Sequence, residues 1–125
     1  VGCTVDPRPQ ALRRGVDQVR SVLADPRLKE LALKSKSKQT LEERLVEALF
    51  SFEARKLWPP RLAQEYDYSR VDQSKLPGRI AYLQNPDLPW SVVVKSDPKN
   101  GRILLLGYGA TLQQPILSDE MKVKP

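Results

Sequence analysis

The 125-residue chain has no histidine and a single cysteine, Cys3. One cysteine cannot close an intramolecular disulfide, and zinc sites built from His and Cys are excluded. The same scarcity removes Ser-His and Cys-His nucleophile pairs. No apolar run approaches the roughly 20 residues that a membrane-spanning helix requires. Aromatic residues number eight (two Trp, four Tyr, two Phe), and no aromatic-rich sheet signature for stacking bases is present.

Other chemistry fails on spacing. Gly107-Tyr108-Gly109 follows an apolar run, but no helix with a third glycine or a Lys-Ser/Thr comes after it, so it is not a phosphate loop. Pro86-Asp87 ahead of Val93-Val94-Lys95 resembles a metal-dependent nuclease core, yet Val93 stands where a metal-binding acid belongs. Paired carboxylates can do acid–base work, but Glu42, Glu43 and Glu47 gather at a helix start, where the helix dipole and solvent account for them. We therefore expect a non-enzymatic chain with no catalytic residue, no metal ligand and no cofactor.

What the chain does have is proline, eleven residues of it, and a net charge of +6. The charge is uneven, since residues 1–40 carry nine Lys/Arg against four acids. A basic excess of this kind suits an anionic membrane surface, nucleic acid or an acidic protein partner. The candidate contacts are Arg13, Arg14, Arg20, Arg27, Lys34, Lys36 and Lys38.

Residues 41–57, LEERLVEALFSFEARKL, read as the core helix. Thr40 with Glu43 three residues later forms a capping box. Apolar residues at 41, 45, 46, 48, 49, 50, 52 and 57 keep helical spacing over a wide face, which places Phe50 and Phe52 in the core. Trp58-Pro59-Pro60 ends the helix, because proline lacks the amide donor. Upstream, residues 9–24 form a helix with the seam Leu12, Val16, Val19, Leu23, and Asp25-Pro26 caps and opens a second over 26–34. Lys34-Ser35-Lys36-Ser37-Lys38 offers nothing apolar to bury and reads as a loop.

Downstream, Tyr66 and Tyr68 fall on one side of an extended segment and are candidate partner contacts. Lys75-Leu76-Pro77-Gly78 reads as a type II turn with Gly78 at positive φ, and residues 79–83 as a strand. The clearest β signal is a hairpin of 91–95 with 102–106, joined through Ser96-Asp97-Pro98-Lys99-Asn100-Gly101. Apolar residues on both faces of these strands imply a sheet covered on each side, or covered on one face and partnered on the other. Gly107 and Gly109 mark a bulge or a close backbone approach. The end, SDEMKVKP, is a tail or a final edge strand.

The expected fold is thus α+β, with N-terminal helices on a small C-terminal antiparallel β-sheet containing the hairpin 91–106. Its organisation is a flexible tether over 1–8, a single domain over 9–118 and a C-terminal tail over 119–125. Val1-Gly2-Cys3 resembles the end of a bacterial lipobox, in which a small residue precedes a cysteine that becomes lipidated, and the polar, Pro-containing stretch after it suits a tether.

The functional expectation is a protein-interaction or assembly module with an unidentified protein partner. Lipidation at Cys3 would hold it on the periplasmic side of a bacterial envelope, its basic N-terminal half against the membrane surface; the alternative location is the cytoplasm. The alternative function is a basic nucleic-acid-binding domain acting mostly through phosphate contacts.

Overall fold

A computed structural model describes residues 7–34, 39–57, 72–83, 90–109 and 112–123. Among the described residues four helices precede four strands: α1 (Pro7–Leu23), α2 (Pro26–Lys34), α3 (Leu41–Leu49), α4 (Phe52–Leu57), β1 (Arg79–Leu83), β2 (Ser91–Asp97), β3 (Arg102–Tyr108) and β4 (Pro115–Lys122). The sheet is antiparallel throughout, in the order β1-β2-β3-β4. The chain is an α+β fold with its helices in the N-terminal half.

The helix seams do what their spacing demands. Leu12, Val16, Val19 and Leu23 of α1 are all buried, and α1 lies against each of the four strands. It comes close to β1 because Gly15 has no side chain: a Cβ there would stand 2.5 Å from Cδ1 of Tyr82. At the next joint the Arg27 amide donates to Asp25 Oδ1 at 2.9 Å, which caps α2 as the Asp-Pro pair implies. α2 packs on α3 and α1, burying Leu28 and Ala32.

The capping box opens α3. The Glu43 amide donates to Thr40 Oγ1 at 3.4 Å, and the Thr40 amide donates to Glu43 Oε1 at 3.2 Å. Removing it with Thr40→Ala is expected to cost about 1 kcal/mol, seen as a lower chemical-denaturation midpoint with an unchanged slope.

The single helix over 41–57 is corrected: α3 ends at Leu49 and α4 begins at Phe52. Ser51 is the reason. Its hydroxyl donates back to the Ala48 carbonyl at 2.6 Å and accepts from the Ala54 amide at 3.2 Å, so it closes one helix and caps the next. The break changes the phase of the apolar face. Phe52 consequently points outward, 65% exposed, with Lys56 Nζ 4.8 Å from its ring centroid. Phe50 stays half-buried beneath the Arg79 guanidinium, 4.0 Å from its ring centroid. The helix laid across the whole sheet is α1, while α3 covers β2 and β3.

In the sheet, Asp97 pairs with Arg102 and the register runs without a break to Ser91 opposite Tyr108. Pro98–Asn100 form a 3-10 turn and Gly101 takes φ 63°, ψ 38°, the left-handed value that the Asn-Gly step anticipates. Gly78 is different. It does not adopt positive φ, and the type II turn reading is corrected: a Cβ at 78 would lie 2.4 Å from the Val94 carbonyl oxygen. Close backbone approach requires glycine there. The β3–β4 register slips between Gly107 and Tyr108, with Ile116 of β4 as the extra residue. Residues 115–122 form the final edge strand, so Asp119 to Lys122 belong to the sheet.

The sheet separates two clusters. Val92, Val94, Ile103 and Leu105 point to the helices and join the main core, whereas Ile80, Val93, Tyr108 and Leu112 form a smaller cluster on the opposite face. Leu112 holds φ 57°, a backbone conformation uncommon for residues other than glycine, and is buried in the smaller cluster with Val93.

Candidate functional site

The seven basic residues singled out by charge do not make one free surface. Asp119 of β4 receives Arg20 Nη1 at 2.8 Å and Arg13 Nη2 at 3.3 Å. Arg13 also reaches Asp17 at 3.1 Å. Arg27 is engaged with Asp25, Nη2 to Oδ2 at 2.8 Å. Hydrogen bonding from Arg27 draws the Asp25 carboxyl below its usual range. Arg14 is exposed on α1, and Lys34 lines a groove between α2, α3 and α4. Lys36 and Lys38 lie outside the described residues, as do Cys3, Tyr66 and Tyr68.

The groove measures about 470 Å³. Ala32 of α2 and Ala48 of α3, both buried small residues, are part of its lining where the two helices pack. Its rim alternates in sign, with Lys34 and Arg44 beside Glu47 and Glu53. Leu31, Ala32 and Ala48 supply its apolar lining.

The outer face of β3 and β4 has another character. Strand alternation puts Arg102, Leu104 and Leu106 of β3 on the side away from the helices, with Lys122, Glu120 and Ser118 of β4 opposite them. On the other flank Leu104 faces Lys95 and Leu106 faces Val93. Val93 is sealed in the smaller cluster, but Leu104 and Leu106 remain partly accessible. They floor a recess of about 330 Å³ shared with Arg102, Ser118, Asp119 and Glu120. Ile116, 59% exposed, precedes the same row on β4.

One end of this row is fixed by charge. Arg102 Nε donates to Asp97 Oδ2 at 2.8 Å and its Nη1 donates to Glu120, while Asn100 Nδ2 donates to the same Asp97 Oδ2 at 2.9 Å. Hydrogen bonding from Arg102, then from Asn100, holds the Asp97 carboxyl below its usual value, and Asp97 with Glu120 raises Arg102 in return. The guanidinium is thus set in place beside two leucines. An ordered cation next to an accessible apolar strip can bind a surface that carries both an apolar side chain and a carboxylate or carbonyl.

Charge counting could not find this site, because none of its residues belongs to the basic N-terminal segment. The signal that could have found it is the run Ile103-Leu104-Leu105-Leu106. A strand with one wet face alternates apolar and polar residues, and this one does not.

Among the described residues, no group of three or more His, Cys, Asp or Glu converges on a common point, and no helix is long and apolar enough to cross a membrane. Comparison with protein-family models, with curated proteins and with solved structures finds no match to this chain.

Proposed function

We propose that this chain is a non-enzymatic protein-interaction module that engages its partner through the outer face of β3 and β4. The observation that carries the reading is the pair Leu104 and Leu106, only partly covered on the side of the sheet away from the helices and bordered by the Arg102 ion pairs. Burying such a strip under another protein removes apolar area from water at about 25 cal/mol per Å², and the ordered arginine adds direction to the contact. Phosphate binding is less well supported by the geometry, because Arg13, Arg20 and Arg27 are already engaged by carboxylates of the same chain.

The test is site-resolved crosslinking in the source cells. A photoreactive side chain at position 104 should give a discrete adduct with one partner. The same group at position 33, on exposed α2 surface, should not. Leu106→Asp, with its fold verified by circular dichroism, should weaken binding of the purified partner by about 10-fold or more, the loss of a central contact. Equal adducts at 33 and 104, or unchanged binding by Leu106→Asp, would overturn the assignment.

A further inference from the structure

The β4 edge carries a device that the proposed interface does not use. The Val123 amide donates to the Gly101 carbonyl at 2.9 Å, which fixes the phase of the strand. Residues 117, 119 and 121 turn their backbone groups toward β3, and by alternation 118, 120 and 122 turn theirs outward, away from the sheet. An edge of this length is a template for another strand.

One outward amide is already taken. Glu120 N–H donates to Oδ1 of Asp119 at 2.8 Å. The other oxygen of the same carboxylate accepts from Arg20 and Arg13 of α1. Asp119 therefore reaches from the helix side of β4 around its edge and is held there by two guanidiniums, with its side chain only 18% exposed. Burial works against the charged form, but the Glu120 amide and then the two arginines outweigh it, and the carboxyl sits below its usual value.

The strand beneath this cap is self-complementary. A second copy paired antiparallel about Met121 would set each Glu120 opposite Lys122 of the other copy. Those outward-facing residues are the ones such a ladder would bond. The register joins opposite charges across the new pair and places the two Met121 side chains together on the helix side. It requires the Glu120 amide as a donor, and Asp119 occupies that amide.

We propose that Asp119 is a gatekeeper: clamped by Arg13 and Arg20, it closes the β4 edge and keeps a second copy of this chain from extending the sheet. Inward-directed charge is a known means of blunting an edge. Here the charge also consumes the donor that the added strand would need.

Hydrogen exchange and sedimentation on the full chain test this together. In the wild-type protein the Glu120 amide should exchange about tenfold or more slowly than its outward neighbours Ser118 and Lys122, the effect of one hydrogen bond to a charged acceptor. Asp119→Ala should bring Glu120 to its neighbours' rate at low concentration and produce a dimer as concentration rises, with all three amides then protected. Asp119→Ala combined with Glu120→Pro should return to monomer, since proline is tolerated where an edge N–H faces solvent but cannot donate. Equal exchange of the three wild-type amides would overturn the proposal without any variant. So would a folded Asp119→Ala that stays monomeric, or a double variant that associates as strongly as the single one.

Discussion

Leu105→Ala is expected to lower the unfolding free energy by about 3–4 kcal/mol, the upper range for leucine truncation in a rigid core. Leu105 is fully buried at the middle of β3, opposite Val94 on one side and Asp119 on the other. Its side chain points into the cluster formed with α1 and α3. Sheet backbone fixes one wall of the site and two helices fix the other, so little can collapse into the void. Leu104→Ala, one residue away, faces outward and should cost under about 1.5 kcal/mol, because a side chain still partly in water gives up less on truncation. Urea denaturation of the two variants measures the contrast. Similar costs would mean that the two faces of β3 are equally covered.

Gly78→Ala is expected to cost about 2–3 kcal/mol, as an overpacked backbone contact does. The added methyl would meet the Val94 carbonyl oxygen at 2.4 Å. That oxygen belongs to β2 and cannot rotate away, so β1 must move and its pairing of Arg79 with Val94 opens. Gly101→Ala makes the opposite case: the nearest atom to its Cβ is Glu42 Oε1 at 3.9 Å, and the penalty there is conformational, from φ 63°. That penalty is about 1–2 kcal/mol. Denaturation midpoints should rank Gly78→Ala below Gly101→Ala. Amide exchange should show loss of protection in β1 for the first and confined to the hairpin turn for the second.

Local signals carried over into the structure well. The Thr40–Glu43 box, the Asp25-Pro26 joint and the Asn100-Gly101 turn each involve residues within a few positions of one another, so the sequence holds the whole interaction. Ser51 is legible in principle, because a serine directly before a helix can cap it, but the continuous apolar pattern through Phe50 and Phe52 masks it. Gly78 was identified as special for the wrong reason: the atom that excludes a side chain lies on β2, 16 positions away in sequence. The candidate face is legible in the apolar residues of Ile103 to Leu106, which imply a second covered or partnered face without saying which residues border it. What makes it a site, the pairing of Arg102 with Glu120, depends on a strand that composition left between tail and edge. The same holds for Asp119, whose partners on α1 are about a hundred positions away.

The claim that the outer face of β3 and β4 is a covered, working surface can be measured with one cysteine. Leu104→Cys in a Cys3→Ser background presents a single thiol in the recess, and Lys99→Cys in the same background presents one on the exposed hairpin turn. Alkylation rates are then compared between the purified chain and intact source cells. If a partner occupies the face, position 104 should react readily in isolation and about tenfold more slowly in cells, as more than nine-tenths occupancy requires, with position 99 unchanged relative to a small-molecule thiol standard. Equal relative rates at 104 in the two settings would contradict the account.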